Sequence, residues 1–268
     1  AKTGELVELA KVASASGGMY ISHMRSEGNR LLEAIDETLT IAREAKIRAA
    51  IYHLKESGES NWNKLDAVIA KIEGARKDGL EITADMYNYT AGSTGLDAAM
   101  PPWVQEGGYK AWQKRLQDPK VRDRVRREMT EKQDVWENLM LAAGGKGTLL
   151  VGFKNEALRM YAGKTLEDVA ALRGKSVQDT AMDLVVEDGS RVQVVYFLMS
   201  EDNVKRQIAL PRVSCGPADP SMAPEGAFIQ TSAHPRADSS SSSPPRNPVR
   251  PAHGLPPEGG PPEPTPCQ

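Results

Sequence analysis

Two of the four histidines stand at matching places in the sequence, where their side chains could bind a metal ion. His23 follows the apolar segment 17–22, His53 closes the apolar segment 47–53, and a polar loop comes after each histidine. In parallel β/α proteins the carboxyl ends of the strands face the active site. Neighbouring parallel strands lie about 4.8 Å apart, so two such imidazoles can reach one cation at zinc–nitrogen distances of about 2.0–2.1 Å.

Each histidine also has a simpler interpretation, as a hydrogen-bonded residue at the end of a strand. A single histidine would favour that interpretation, whereas two histidines at matching positions leave both interpretations open. Catalytic zinc usually has three protein ligands and a water molecule, so a complete catalytic site needs more than His23 and His53.

Other polar side chains are expected at the same edge of the sheet. Lys55 comes two residues after His53 and points the same way if the extended backbone continues. Tyr87 and Ser93 follow the third predicted strand. A cation there could hold a carboxylate, and hydroxyl groups could orient a carbonyl. For each of these residues alone, loop structure or surface charge is the better explanation.

Three more candidates follow the last predicted strand. Asp219 could be a general base that acts on a metal-bound water, or a turn former in a loop rich in Gly and Pro. His234 and Arg236 could line the mouth of the site or lie on the surface of the loop.

The elements that must position these residues alternate regularly over the first third of the chain. Strands are predicted at 17–22, 47–53 and 80–85, and helices are predicted between them, with Asn29 and Asn61 as their capping residues. Strand–helix units of about 30 residues are typical of parallel β/α architecture.

The segment 86–147 interrupts this alternation and includes a strongly charged helix predicted around 117–138. A long excursion of this kind in a β/α protein is often a lid or subdomain, although the charges alone fit a solvated helix face. Further strands are then predicted at 148–153, 191–200 and 210–215, as if the alternation resumed.

Composition sets the domain limits and excludes some functions. Residues 238–268 are rich in Ser and Pro and are predicted to be disordered, which leaves 1–237 as the folded domain. A net charge of −2 argues against a nucleic-acid surface, and no apolar run approaches the roughly 18 residues of a membrane span. Two distant cysteines and no signal-peptide pattern favour a cytoplasmic location.

Taken together, several motifs resemble the N-acyl-D-amino-acid deacylases of the amidohydrolase superfamily. They are ISHMRSEG at 21–28, His-x-Lys at 53–55, DMYNYTAGS at 85–93, PPWVQEGG at 101–108 and the run from APEG to HPR at 223–236. The resemblance extends over residues 1–237. It implies a partial TIM-like (β/α) barrel, about strands 5–8 of the family fold, with a long helical insertion.

The resemblance also implies roles for individual residues. His23 and His53 match zinc ligands at the ends of the fifth and sixth strands. The positions that match substrate-binding residues are Lys55, Tyr87, Ser93 and Arg236. The implied reaction is the zinc-dependent hydrolysis of an N-acyl-D-amino acid to a carboxylate and a D-amino acid, in which an Asp after strand eight moves the proton.

The sequence departs from the family pattern in three ways. The family's His-x-His pair and bridging Cys have no counterpart here. The expected Asp position holds Ala218, and the nearest acid is Asp219; such a shift of one residue can turn a side chain away from the site. After Ala237 the composition changes abruptly, as a change of reading frame would produce, and the nucleotide sequence would test that hypothesis.

These departures leave other interpretations beside an enzyme that acts on a small N-acyl-D-amino acid. The chain could be a truncated or frameshifted, catalytically inactive fragment. It could also be a half-site subunit that needs a partner chain carrying the missing half of the barrel, or a non-catalytic binding module. Neither nucleic acid nor a membrane is expected as a partner.

Overall fold

The computed structural model describes residues 1–132 and 136–215. In chain order, the strands are β1 (Met19–Ser22), β2 (Arg48–Ile51), β3 (Ile82–Met86), β4 (Ala91–Gly95), β5 (Thr148–Gly152), β6 (Gln193–Phe197) and β7 (Val213–Cys215). The helices are α1 (Thr3–Ala15), α2 (Leu31–Ala45), α3 (Leu65–Lys77), α4 (Pro102–Gln105), α5 (Tyr109–Arg115), α6 (Pro119–Glu128), α7 (Leu139–Ala143), α8 (Leu166–Arg173), α9 (Val177–Asp188) and α10 (Glu201–Ile208). Within these described ranges, no helix is long and apolar enough to cross a membrane.

A four-stranded parallel sheet carries the first candidate residues, with the strand order β1-β2-β3-β7. Ser22 pairs with Ile51, and Ile51 pairs with Ala84, so the carboxyl ends of the first three strands lie side by side. The fold is mixed α/β, and the three strands predicted in the first third of the chain are confirmed.

Helices α2 and α3 cover this sheet through the apolar faces that their spacing predicted. The buried side chains include Ile35, Leu39, Val68 and Ile72. The predicted caps, however, are wrong. Helix α2 begins at Leu31, where Ser26 Oγ accepts the N–H of Arg30, and Asn61 lies inside the 3-10 helix Glu59–Lys64 that precedes α3.

A separate three-stranded antiparallel sheet has the order β4-β6-β5. The prediction that the segments 148–153 and 191–200 resume the parallel alternation is therefore wrong, because β5 and β6 pair with each other and with β4 instead. An apolar run indicates a strand but carries no information on its direction or its neighbours. The last predicted strand does join the parallel sheet, as β7 beside β3.

The charged helix predicted around 117–138 is shorter than its charge pattern suggested. Helix α6 ends at Glu128. A new short helix, α7, begins after Asn138, whose side chain accepts the N–H of Leu141. Two arginines of α6, Arg122 and Arg126, bind Asp179 of α9 and hold these helices together.

Candidate metal centre

His23 follows β1 directly and His53 comes two residues after the end of β2, and their imidazole rings meet at the edge of the parallel sheet. Nδ1 of His23 lies 2.7 Å from Nε2 of His53, and the ring planes are inclined at 72°. The pairing of the strands continues up to the histidines, because the N–H of Tyr52 donates to the carbonyl of Ser22. The His23 side chain is 66% exposed and the His53 side chain 16%. The predicted meeting of the two histidines is thus observed.

The neighbouring strand β3 sets the backbone at His53. His53 has a φ of 40°, in the left-handed region that residues with side chains seldom adopt. Its N–H donates to Oδ1 of Asp85 at 2.6 Å, and the N–H of Leu54 donates to the carbonyl of Asp85 at 2.7 Å. Asp85 thereby fixes the turn that aims the His53 ring. Burial raises the pKa of Asp85, although the N–H of His53 opposes the shift.

A buried ion pair lies beneath the histidines. Lys55 and Glu27 are 7% exposed each, and Nζ of Lys55 lies 2.6 Å from Oε1 of Glu27. The same Nζ lies 2.6 Å from Nδ1 of His53 and donates to the carbonyl of His53 at 2.9 Å. The sequence places Lys55 on the same side as His53, and the structure brings the two side chains into contact.

The charges in this cluster are strongly coupled. Burial by itself raises the pKa of Glu27, but Lys55 and His53 outweigh burial and hold that pKa at about 2. Burial lowers the pKa of Lys55, against the attraction of Glu27. Desolvation also lowers the pKa of His23, and Glu27 again opposes the shift. Glu27 is therefore an anion at neutral pH that compensates the cation of Lys55.

Three side chains in the described residues offer metal-ligating atoms within 4.8 Å of one another: His23, Glu27 and His53. Two imidazole nitrogens and a carboxylate oxygen are the donor types that zinc accepts in proteins. Tetrahedral zinc with bonds of about 2.0–2.1 Å separates two ligand nitrogens by about 3.4 Å. The two histidine nitrogens would therefore have to move apart by about 0.7 Å to share an ion, which is a small adjustment for side chains.

Tyr87 connects this cluster to the second sheet. Nζ of Lys55 lies 5.4 Å from the centre of its ring. The hydroxyl oxygen of Tyr87 lies beside Gly92 of β4, where it would be 3.5 Å from a Cβ placed on that glycine. Ser93 is the next residue of β4, and its hydroxyl donates to the carbonyl of Val194 in β6. Tyr87 therefore lies at the candidate centre, whereas Ser93 belongs to the antiparallel sheet beside it.

The remaining predicted site residues lie outside the described residues. They are Asp219, with its neighbour Ala218, and His234 and Arg236. The same holds for the Ser- and Pro-rich segment 238–268.

Sequence reasoning missed Glu27 and Asp85. Glu27 follows His23 by four residues within the motif ISHMRSEG, but only the path of the loop brings its carboxylate beneath His53. Asp85 is the last residue of a predicted strand. Its side chain accepts the N–H of His53 because the backbone at His53 turns back towards it. For Glu27 the available signal was its position four residues after a candidate histidine, whereas Asp85 is 32 residues from His53 and offered no such signal.

A segment far along the chain holds the loop that carries Glu27. The carboxylate of Glu137 accepts the N–H of Glu27 at 2.9 Å and the N–H of Gly28 at 2.7 Å. It also accepts the hydroxyl of Ser26. The long insertion after β3 is therefore fastened to the loop that joins β1 to α2.

Comparison with known proteins agrees with the motifs. A D-aminoacylase of Alcaligenes xylosoxydans xylosoxydans is 31% identical over 211 residues, which are 78% of this chain and 33% of the relative. The resemblance to the N-acyl-D-amino-acid deacylases is confirmed. The chain spans about a third of the length of the D-aminoacylase that it matches, and no family model matches it.

Solved structures of deacylases match the same part of the chain. A crystal structure of D-aminoacylase, described as defining a novel subset of amidohydrolases, matches with a TM-score of 0.56 and 28% identity over 80% of this chain and 35% of that one. A second structure of D-aminoacylase, described as having a binuclear metal center, also matches with a TM-score of 0.56. It is 27% identical, over 80% of this chain and 35% of that one. The N-acyl-D-glutamate deacylase of Bordetella bronchiseptica, complexed with zinc and a phosphonate inhibitor, shares the fold, with a TM-score of 0.59, 24% identity and coverages of 81% and 36%.

Proposed function

We propose that this chain forms part of a metal-dependent hydrolase that removes the acyl group from N-acyl-D-amino acids. The observation that carries the proposal is the meeting of His23 and His53 at the ends of adjacent parallel strands, 2.7 Å apart at their ring nitrogens. The similarity to D-aminoacylase over 78% of the chain supports the substrate class. The four parallel strands would then be part of a TIM-like barrel, at positions 5–8.

Zinc is the metal that we propose for this site. His23 and His53 would hold it, and their imidazole nitrogens suit zinc better than they suit magnesium or calcium. D-aminoacylase is described with a binuclear metal centre, and a deacylase of the same fold is described with zinc. When bound, zinc supplies a Lewis acid that polarises an amide carbonyl and lowers the pKa of a water molecule.

The other residues would bind the substrate and move the proton. Lys55 and the ring of Tyr87 lie against the candidate centre, and the family resemblance implies that both residues contact the substrate. For Ser93 and Arg236 the family resemblance implies contacts with the substrate, and for Arg236 a contact with its carboxylate. Asp219 would take a proton and pass it to the leaving amine, from a position shifted by one residue.

The test measures zinc stoichiometry on the purified chain and on two variants, His23→Ala and His53→Ala. The expected result is bound zinc in the wild type and its loss in both variants. Release of D-amino acids from N-acetyl-D-amino acids is then measured with zinc present. Unchanged zinc content in both variants would show that the histidines are not the metal site.

A second candidate function is that of a subunit that works only with a partner chain. Apolar side chains are exposed on β1 and on the helix before it: Met19 at 41%, Ile21 at 58%, Leu9 at 67% and Val12 at 70%. These side chains could pack against further β/α units that another polypeptide supplies. An adjacent reading frame with His-x-His and a Cys, whose product purifies with this chain and restores hydrolysis, would support the idea. A chain that hydrolyses substrate alone would refute it.

A further inference from the structure

The carboxylate of Glu27 lies beside the histidine pair, where one of its oxygens is close to three nitrogen atoms. Its Oε1 is 2.7 Å from Nδ1 of His53, 2.6 Å from Nζ of Lys55 and 3.7 Å from Nδ1 of His23. The ion pair with Lys55 explains how the charge of Glu27 is compensated. It does not explain why the same oxygen also reaches one particular nitrogen of His53.

The two ring nitrogens of His53 face different partners. Nε2 faces Nδ1 of His23, whereas Nδ1 faces Glu27 and Lys55. A neutral imidazole carries one proton, and the nitrogen that binds a metal must be the one without it. A metal shared with His23 therefore requires the His53 proton to be on Nδ1.

Only one of the two neighbours of Nδ1 can accept that proton in a hydrogen bond. The ammonium of Lys55 has three donors and no lone pair, whereas the carboxylate of Glu27 is an acceptor. Histidines that bind metals almost always donate their other N–H to a carboxylate, a carbonyl or water. Before any metal is bound, Oε1 of Glu27 already lies 2.7 Å from Nδ1 of His53, beside the hydrogen bond that Lys55 makes to the same nitrogen.

We propose that Glu27 is a positioning residue that accepts the Nδ1–H of His53 and so keeps Nε2 of His53 free for a metal shared with His23. This inference rests on the proposed metal site and adds a residue that acts on it through His53. Glu27 itself is not a ligand of that metal, because its oxygen lies on the Nδ1 side of the ring.

Lys55 holds Glu27 in this position. Its Nζ donates to Oε1 of Glu27 and also to the carbonyl of His53, so the carboxylate and the backbone of His53 are bound to one cation. Without a metal, Lys55 can also donate to Nδ1. With a metal on Nε2, Nδ1 carries a proton, so the hydrogen bond from Lys55 to Nδ1 must be replaced by one from Nδ1 to Glu27.

The first experiment reads the tautomer directly. Histidine ring nitrogens of the zinc-loaded chain are observed by nitrogen-15 NMR, and the His53 ring is assigned through its own backbone resonances. The expected spectrum shows a protonated Nδ1 and a zinc-bound Nε2 for His53. A protonated Nε2 of His53 in the zinc-loaded chain would overturn the proposal, whatever the stability of any Glu27 variant.

The second experiment compares the zinc affinities of two double variants, Glu27→Gln/Lys55→Met and Glu27→Leu/Lys55→Met, neither of which leaves a buried charge unpaired. Only the amide oxygen of Gln can accept the Nδ1–H of His53, so the variant with Leu is expected to bind zinc about 10- to 100-fold more weakly, the usual effect of removing such a partner. The matched control is Glu33→Leu, an exposed acid on α2, which should leave the affinity unchanged. Equal affinities of the two double variants would overturn the proposal.

Cobalt in place of zinc separates positioning from ligation. The visible absorption of the cobalt-loaded protein is expected to keep its band positions and intensity in the Glu27→Leu/Lys55→Met variant, because the ligand set is unchanged. Altered bands would make Glu27 a ligand and contradict the proposal. The proposed function fails separately, if His23→Ala and His53→Ala leave zinc affinity as it is.

Discussion

Asp85 stabilises the turn that positions His53, so its substitution should lower the stability of the protein. His53 adopts a φ of 40°, and Oδ1 of Asp85 accepts its N–H. Asp85→Ala leaves that partly buried N–H without its partner, so we expect a loss of about 1–3 kcal/mol in the free energy of unfolding. Urea denaturation would measure it.

Asp85→Asn is the matched control for this substitution. Its amide oxygen can accept the same hydrogen bond, so the free energy of unfolding should stay closer to that of the wild type. An equal loss in Asp85→Ala and Asp85→Asn would show that the charge of Asp85, and not the hydrogen bond to His53, stabilises the turn.

Among individual residues, the sequence predicted those of the candidate site that lie at the ends of strands. His23 and His53 could be predicted because an apolar run marks each strand and parallel strands align their carboxyl ends. Glu27 could not be predicted in the same way. Its burial and its contact with Lys55 depend on the path of a loop that has no periodic pattern.

At the scale of elements, Glu137 joins the insertion to the loop between β1 and α2. Its carboxylate accepts the N–H groups of Glu27 and Gly28. Glu137→Ala should expose both amides, and a net loss of about 1.4 kcal/mol would raise their exchange rates by about tenfold. Hydrogen–deuterium exchange of the peptide 24–31 would measure this.

The control for Glu137 is Glu131→Ala, which removes an exposed acid from the same insertion. Exchange in the peptide 24–31 should be unaffected by this change. If Glu137→Ala also left the exchange unaffected, the insertion would be held to the loop by other contacts.

Glu56 joins the loop after β2 to helix α10 and should make stability depend on pH. Its oxygens accept the side-chain amides of Asn203 and Gln207. Burial raises its pKa to about 7, so the folded protein binds a proton more tightly than the unfolded chain. The stabilisation is fully present below the unfolded pKa of about 4.3 and is lost as the pH rises through 7.

Urea denaturation at pH 5 and at pH 8 would test this dependence. We expect the wild type to lose about 2–3 kcal/mol between the two values, since one pKa unit corresponds to about 1.4 kcal/mol. Glu56→Gln should remove most of that difference. A difference of the same size in Glu56→Gln would assign the pH dependence to other groups.

The antiparallel sheet shows why only part of the element order could be predicted. Strand β4 has the sequence AGSTG, which has neither an apolar run nor an alternating pattern. It becomes a strand because β6 supplies a partner with five paired residues. A strand that depends on tertiary pairing leaves little local signal, and without β4 the segments of β5 and β6 suggested the wrong sheet.

At the scale of the whole molecule, the parallel sheet ends in the described residues at β1, whose outer side has no partner strand there. Ile21 of β1 is 58% exposed and Met19 is 41% exposed. An edge strand with exposed apolar side chains favours pairing with another chain. The purified chain should therefore associate with itself as its concentration rises, even when no other polypeptide is present.

Charge on this edge should oppose that association. Ile21→Lys places an ammonium where a neighbouring chain would have to pack, and β-sheet edges are commonly protected in this way. Sedimentation velocity over a range of concentrations should show a smaller fraction of oligomer for Ile21→Lys than for the wild type. The matched control is Leu172→Lys on α8, because Leu172 is exposed at 67% but lies in a helix outside the parallel sheet. If both substitutions reduced association equally, the exposure of apolar side chains in general would be its cause. If only Ile21→Lys reduced association, the edge of the parallel sheet would be the surface that binds a further chain.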